Sequence, residues 1–230
     1  MKNSTDICRP EKLHSKVLLL TWLESLSENL DRSVGKTIRR KVMQGSEKLA
    51  ADSPLEERAR WFKGAMERLD TLVDEKERRT IMMCSCPDRF PKKRIKFLRK
   101  KYLELGSIDA LFPIMNEDTS WKGLSYYEYP VRKGNVIYVT KIPYNPKGVK
   151  AARNAEEKRL SYCHCPIMKS LLKAGEKVSP TFCYCGAGWY KQLWEGILEE
   201  PIEKIEMLKS VCGGDDSCEY AIHLPIDKDI

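Results

Sequence analysis

Eight of the nine cysteines fall in closely spaced pairs, and this spacing limits the possible folds more than any other feature of the sequence. Three of the pairs are Cys-x-Cys, and the fourth brackets a Gly-Gly-Asp-Asp segment. The pairs are Cys84/Cys86, Cys163/Cys165, Cys183/Cys185 and Cys212/Cys218. In a reducing compartment thiols stay reduced, and thiolates are strong metal ligands and nucleophiles. The pattern therefore favours metal ligation or thiol chemistry over a disulfide framework.

Length and hydropathy set broader limits. The chain has 230 residues, of which 42% are hydrophobic, and this is enough for one substantial core. No uninterrupted apolar run is longer than residues 17–20, which is far shorter than the roughly 20 residues that cross a bilayer. No cleavable signal pattern follows Met1. We therefore expect a cytoplasmic protein with no membrane partner.

Positive charge is concentrated in one short stretch. The formal net charge is +8, and residues 89–101 contain eight basic side chains and no acidic one. They are Arg89, Lys92, Lys93, Arg94, Lys96, Arg99, Lys100 and Lys101. Such a stretch can hold phosphates or a carboxylate ligand, but it is also typical of the solvated face of a helix. We favour the solvated face and do not expect nucleic acid as a partner.

The first half of the chain has a helical pattern, with apolar residues at spacings of three and four between residues 13 and 73. Ser53, Pro54 and Glu56 suggest a helix start in which Ser53 is the cap, Pro54 lies in the first turn and Glu56 completes a capping box. A basic helix is predicted over 91–105, with Gly106 as its stop. The predicted inward-facing side chains are Leu19, Trp22, Leu23, Leu26, Leu30, Phe62, Met66, Leu69, Val73, Ile95, Leu98 and Tyr102.

The second half mixes strands and helices. Residues 126–131 and 136–142 are rich in aromatic and β-branched side chains and flank a Lys-Gly-Asn segment, which predicts a hairpin. Residues 145–148 are typical of a turn, followed by a polar helix or loop. An amphipathic helix through Trp189 and Leu198 is predicted to end at Pro201. Strands 205–211 and 219–224 then form a terminal hairpin around a Gly-Gly-Asp-Asp turn whose carboxylates satisfy its own backbone.

These patterns predict an α+β fold, with a helical N-terminal half packed on a small antiparallel sheet. Residues 1–124 form a mainly helical part, and residues 125–230 form an α/β part with the cysteine-rich module. No long linker or low-complexity segment separates the two parts. We therefore expect one compact unit.

The terminal hairpin carries the strongest metal-site pattern. Cys212 and Cys218 are predicted at its two strand ends, where their sulfurs can approach one another. One more thiolate from Cys183 or Cys185 would make a three-sulfur site. Zinc prefers four soft ligands in a tetrahedral shell, and thiolates from separate elements can pin a loop, a helix and a hairpin together.

Residues 183–224 resemble the C-terminal part of the 4-vinyl reductase domain superfamily. The shared pattern is a cysteine, a glycine-containing helix with an aromatic residue, a short strand, and then Cys, a Gly-Asp turn, Cys and a hydrophobic strand. The superfamily includes transport-particle subunits and the sensory domains of phenol-responsive bacterial activators, and related folds resemble 2-aminothiazoline-4-carboxylate hydrolases. The resemblance implies a similar architecture for the whole chain and a homodimer paired through the helical layer.

The resemblance also implies a set of metal ligands. In the phenol-sensing activators, zinc is bound through one early cysteine and a later Glu-x-x-Cys…Cys pattern. The glutamate position falls at Lys209, which cannot be a ligand while protonated, so a fourth ligand must come from elsewhere. Cys183, Cys163 or Cys165 can supply it, and Cys165 is preferred over His164 because a fourth thiolate keeps the site soft. The implied metal ligands are Cys165, Cys183, Cys185, Cys212 and Cys218.

Segments 83–87 and 162–166 each contain Cys-x-Cys-Pro, and each is predicted to open a helix, where the helix dipole stabilises a thiolate. Their candidates for a second thiol or metal site are Cys84, Cys86, Cys163 and His164. An iron–sulfur cluster assembled from these cysteines and Cys165 is the alternative to zinc. One cysteine of each pair can equally be a small buried hydrophobe.

Two functions fit the sequence. The first is a small-molecule-binding protein in which a closed, structural zinc site supports the wall of an apolar pocket, with Trp189 and Tyr190 as the candidate ligand contacts. Aromatic residues at this spacing are more often core. The alternative is a metal- or thiol-dependent enzyme, a hydrolase or a reductase, that acts on a small organic substrate through the Cys-x-Cys-Pro cysteines.

Overall fold

The computed structural model describes residues 11–86 and 90–225, with side chains from residue 20 onward. The described chain is α+β, as predicted. Its helices are α1 Glu11–Val42, α2 Leu55–Leu72, α3 Glu75–Cys84, α4 Lys92–Leu105, α5 Leu111–Glu117, α6 Pro146–Ala151, α7 Ala155–Tyr162, α8 Pro166–Lys173 and α9 Tyr184–Leu198. Its strands are β1 Val131–Lys133, β2 Val136–Thr140, β3 Lys204–Lys209 and β4 Glu219–His223.

The first two helices pack through the predicted apolar stripe. Leu26 and Leu30 of α1 and Phe62 of α2 are fully buried, and the rings of Trp22 and Phe62 lie 4.4 Å apart. The kink in α1 occurs at Gly35, whose φ of 79° and ψ of 167° are outside the helical region and suit glycine. The predicted stripe is therefore confirmed from Trp22 onward, while the side chain of Leu19 is outside the described set.

The predicted cap of α2 is wrong by one residue. Pro54 itself occupies the N-cap position, and no side-chain hydrogen bond caps the helix. The Ser53 hydroxyl instead accepts a hydrogen bond from the backbone N–H of Ala50 at 3.0 Å. Ser53 therefore closes the preceding turn, and it does not form a capping box with Glu56.

The basic helix α4 agrees closely with its prediction. It ends at Gly106, which has the left-handed φ of 67° expected of a glycine stop. Leu98 and Tyr102 are buried and Ile95 is partly buried. A Cβ atom at Gly196 of α9 would lie 2.4 Å from Ile95 Cγ2, so the two helices approach closely at this point.

The four strands form one antiparallel sheet in the order β1-β2-β4-β3. The predicted β1–β2 hairpin is present, but its first strand begins only at Val131. Glu128 and Tyr129 have positive φ values of 64° and 51°, which an extended strand does not allow. The terminal hairpin is also present, and Tyr220, Ala221 and Ile222 are all buried, so both faces of β4 are covered in its centre.

The segment between β2 and β3 is more helical than predicted. The turn expected at 145–148 is the start of α6, where the Asn145 side chain accepts a hydrogen bond from the N–H of Gly148. Asn154 caps α7 in the same way by accepting from Glu157. Helix α9 stops at Leu198, because Glu199 adopts a left-handed conformation two residues before Pro201. No helix within the described residues is long and apolar enough to cross a membrane.

Candidate metal centre

The cysteines of the second half lie at element ends that face one another. Cys163 and Cys165 are the residues that end α7 and precede α8. Cys183 ends a 3-10 turn, Pro180–Cys183, directly before α9. Cys212 and Cys218 lie in the connection between β3 and β4. The thiols therefore come from the ends of secondary-structure elements in three separate parts of the fold.

A tight turn shapes the connection between β3 and β4. The Asp215 carboxylate accepts a hydrogen bond from the N–H of Ser210 at 2.8 Å, and the Ser210 carbonyl accepts from Gly213 and Asp215. The Ser210 hydroxyl in turn accepts from the N–H of Cys212 at 3.2 Å. The prediction that the carboxylates satisfy their own turn is confirmed for Asp215 but is wrong for Asp216, which accepts a hydrogen bond from Lys158 at 2.8 Å. The contacts of Asp215 and Ser210 fix the backbone that carries Cys212.

Five sulfurs interact across these elements, and we name Cys163, Cys165, Cys183, Cys212 and Cys218 the thiol cluster. The thiol of Cys212 is hydrogen-bonded to the thiols of Cys163 and Cys183. Cys218 interacts electrostatically with the same two residues, and so does Cys165. Cys163 also donates to the carbonyl of Cys165 at 3.8 Å. Cys163 and Cys183, 20 positions apart in the sequence, are therefore joined through Cys212.

The pKa values of the thiols in the cluster show that it is unfavourable for several of them to lose their protons at once. The hydrogen bond from Cys212 lowers the pKa of Cys163 to about 7 against the effect of burial, with help from Lys169 and Lys141. Hydrogen bonds from Cys163 and Cys183, together with burial, raise the pKa of Cys212. Burial also raises the pKa of Cys165, and that of Cys218 to about 12. A divalent cation among the sulfurs would remove this penalty, because it stabilises several thiolates together.

Two lysines bring positive charge to the cluster. Burial opposes the charge of Lys141, but Glu128 and the nearby thiols of Cys218, Cys86 and Cys185 outweigh it and raise the lysine pKa. Burial lowers the pKa of Lys169, although Cys163 and Cys165 act in the opposite direction. A thiolate site at this position would therefore have its excess negative charge partly balanced by the protein.

Beside the thiols lies a polar contact that the sequence did not reveal. Glu128 accepts hydrogen bonds from the Tyr190 hydroxyl and, at 3.3 Å, from the N–H of Ile142. Burial raises the pKa of Glu128, while Lys141 lowers it. The Tyr220 hydroxyl donates to the Cys183 carbonyl at 3.1 Å and thereby ties β4 to the start of α9. The sequence contains one indication of this contact, because Glu128 is the one acidic residue among the tyrosines of segment 126–129.

The remaining candidate cysteines divide among different environments. Cys185, in the first turn of α9, is partly buried and interacts with Lys141. Cys86 is buried, and a Cβ atom at Gly188 would lie 2.9 Å from its Cβ. Cys84 is exposed and is the last residue of α3. Segment 83–87 was predicted to open a helix, but its first residues end one, so that prediction is wrong for this segment. Pro87 lies outside the described residues.

The other candidates are engaged elsewhere. His164 Nε2 lies 2.7 Å from the carbonyl oxygen of Ile142, and burial together with Lys141 lowers the histidine pKa to about 3. The ring is therefore neutral, and its Nε2–H donates to that carbonyl. Trp189 packs on Phe90, with ring centroids 4.6 Å apart. Tyr190 is buried and binds Glu128.

Within residues 11–86 and 90–225, no group of three or more histidine, cysteine, aspartate or glutamate side chains has an arrangement that could hold a metal ion as it stands. In the thiol cluster, Cys212 is hydrogen-bonded to Cys163 and Cys183 as a thiol. Coordination would require their protons to leave and their side chains to turn toward a common centre.

Comparison with known proteins gives one match. Residues 148–228 are similar to a protein family described as a family of unknown function (DUF6144). A search of the curated proteins and a search of the solved structures found no significant match. The matched segment contains the whole thiol cluster, whereas Glu128 and Lys141 precede it.

Proposed function

We propose that the thiol cluster binds one zinc ion and that this protein is a small-molecule-binding protein stabilised by that ion. The observation that carries the proposal is the hydrogen bonding of the Cys212 thiol to Cys163 and Cys183, which come from different elements. Thiols that meet in this way within a reduced protein are suited to a soft divalent cation.

The four ligands we favour are Cys163, Cys183, Cys212 and Cys218. The first three are joined by thiol–thiol hydrogen bonds, and Cys218 interacts with Cys163 and Cys183. Cys165 is the alternative fourth ligand, since it interacts with the same pair. A shell of four thiolates at about 2.3 Å from zinc leaves no coordination position for a reacting water. A structural role is therefore favoured over a metal-dependent hydrolase.

The proposed ion would join three parts of the C-terminal half. Through the four thiolates it would connect the junction of α7 and α8, the start of α9 and the β3–β4 connection. Because a preformed site is rare in an unfolded chain, the free energy of metal binding adds to the free energy of folding. The small-molecule role depends on the resemblance of residues 183–224 to 4-vinyl reductase domains, with Trp189 of α9 as the candidate ligand contact, since the Tyr190 hydroxyl is already bound to Glu128.

Elemental analysis of the protein, purified under reducing conditions without added metal, tests the proposal. We expect roughly one zinc per chain. The Cys212→Ser variant should lose this zinc, while Cys84→Ser, which removes an exposed thiol outside the cluster, should keep it. Cobalt in place of zinc should give sulfur-to-metal charge-transfer absorption in the parent protein and in Cys84→Ser alone.

Three results would overturn the zinc assignment. The first is a parent protein that contains no zinc and takes up neither zinc nor cobalt. The second is an equal loss of metal from Cys84→Ser and Cys212→Ser. The third is iron with visible absorption, which would assign the same thiols to an iron–sulfur cluster.

A further inference from the structure

The arginines of the basic helix α4 are used inside the fold. Arg94 forms an ion pair with Asp118, donates to Ser120 at 2.6 Å and lies 3.7 Å from the ring centroid of Tyr126. Arg99 donates to the carbonyl of Ile197 at 2.8 Å and pairs with Glu199 at 2.8 Å. These contacts attach α4 to its neighbours. The positive charges of α4 that are not used within the fold are therefore those of its lysines.

Four of the five lysines of α4 face solvent, while Lys101 pairs with Glu104 at 2.7 Å. Lys92, Lys93, Lys96 and Lys100 are exposed. Within the described part of the chain, no acidic group lies at ion-pair distance from the first three, and Lys100 reaches Glu104 only at 3.7 Å. Surface charges of this kind contribute little to folding. They are available to an external partner.

Large apolar side chains accompany these lysines. Phe97, Leu103 and Leu105 are 49%, 56% and 47% exposed. Lys93, Lys96, Phe97, Lys100 and Leu103 follow the spacing of three and four that places residues on one side of a helix. A shallow groove of about 430 Å³ lies on this side, lined by Lys96, Arg99, Lys100, Leu103 and Glu104. We name Lys93, Lys96, Phe97, Lys100 and Leu103 the α4 face.

We propose that the α4 face binds the surface of a lipid bilayer that contains anionic phospholipids. Lysines can pair with lipid headgroups while Phe97 and Leu103 enter the boundary between headgroups and acyl chains. Nucleic acid fits less well, because the arginines are already bound internally and the exposed leucine has no counterpart on a phosphate backbone. Our expectation of no membrane partner relied on the lack of a spanning segment, whereas this contact requires none.

Sedimentation of the full-length protein with vesicles tests the proposal. We expect binding to vesicles of phosphatidylcholine and phosphatidylserine, weaker binding at higher salt, and little binding to pure phosphatidylcholine. Each lysine near an anionic surface is worth roughly fivefold in affinity. The variant Lys93→Gln/Lys96→Gln/Lys100→Gln should therefore bind about 100-fold more weakly.

A control variant that loses the same net charge tests whether vesicle binding depends on the α4 face or only on the total charge of the protein. The variant Lys36→Gln/Lys41→Gln/Lys48→Gln removes three exposed lysines of α1 and the following turn. It should bind vesicles nearly as well as the parent protein. Phe97→Ser/Leu103→Ser should weaken binding, whereas Leu208→Ser, which changes an exposed apolar residue of β3, should not. Circular dichroism checks that each variant is folded.

Other results would overturn the proposal. They are equal binding to neutral and anionic vesicles, equal loss in the two triple-lysine variants, or unchanged binding of Phe97→Ser/Leu103→Ser. Binding of duplex DNA or transfer RNA through the α4 face, with no binding to vesicles, would assign that face to nucleic acid instead. None of these outcomes depends on zinc.

Discussion

The backbone N–H of Lys141 donates to the carbonyl of Cys218 at 2.9 Å, so the end of β2 is fixed beside the second cysteine of the β3–β4 connection. This bond continues the pairing of Thr140 with Glu219 by one step beyond the regular ladder. It brings the Lys141 side chain into the electrostatic field of several thiols. A single sheet contact therefore joins the polar group around Glu128 to the thiol cluster.

Lys141 and Glu128 should depend on each other for their contribution to stability. We expect Lys141→Met to lower the free energy of unfolding by about 1 kcal/mol, because it leaves the partly buried Glu128 carboxylate without the positive charge that lowers its pKa. Glu128→Gln should have a similar effect. The double variant should lose less than the sum of the two, as measured by urea unfolding. Strictly additive losses would show that the two side chains do not interact.

Gly188 should tolerate no side chain. A Cβ atom there would lie 2.1 Å from the Met83 carbonyl oxygen and 2.9 Å from Cys86 Cβ. Gly188→Ala should therefore force α9 away from α3 and destabilise the protein by roughly 3 kcal/mol in thermal or urea unfolding. Gly64→Ala is the matched control, since Gly64 lies within α2 and its nearest neighbour is the end of a side chain, Arg68 Nη1, at 3.2 Å. That variant should be neutral or slightly stabilised. Equal effects would contradict the close packing.

Asp118 should contribute stability that is lost in acid. Burial raises its pKa, but Ser120 and Arg94 outweigh this and bring the value below the ordinary 3.8. A carboxylate with a depressed folded-state pKa stabilises the protein above its unfolded pKa, and this stability disappears as the pH falls through the folded value. Asp118→Asn should therefore be about 1 kcal/mol less stable at pH 7, with the difference shrinking below pH 4. A constant difference across this range, in urea titrations at several pH values, would contradict the assignment.

Removing the proposed zinc should loosen the C-terminal half first. A chelator should lower the melting temperature of the parent protein and of Cys84→Ser, and it should leave Cys212→Ser unchanged because that variant has no ion to lose. Hydrogen exchange should accelerate at the N–H of Lys141 and in β4, while α2 stays protected. Uniform acceleration throughout the chain would argue against a local role for the ion.

Regular local patterns predicted much of the fold. The apolar stripe of α2 and the stop of α4 at Gly106 depend on neighbours within a few residues, and both were found as predicted. Ser53 was misassigned because a serine before a proline can close the preceding turn as readily as it caps a helix. The extent of β1 was misjudged because the left-handed conformations of Glu128 and Tyr129 cannot be read from a segment rich in aromatic residues.

The candidate site depended on tertiary structure to a greater degree. The sequence suggested that Cys183, Cys212 and Cys218 would meet. It offered Cys163 in two ways, as a possible fourth ligand of that site and, because their motifs look alike, as a member of a second site with Cys84. In the fold, Cys163 interacts with Cys212, whereas Cys84 is exposed at the end of α3. Identical short motifs can therefore occupy different environments, since the surrounding elements decide which way each one faces.

The order of the strands has a consequence for how the chain is made. β4 lies between β2 and β3, and its pairing with β2 joins segments about 80 positions apart in the sequence. A nascent chain that has left the ribosome only as far as β3 has an unpaired β2 edge and lacks Cys218. Pairing over such a distance is slow. The sheet and the thiol cluster should therefore form at the same time, as a late step of folding.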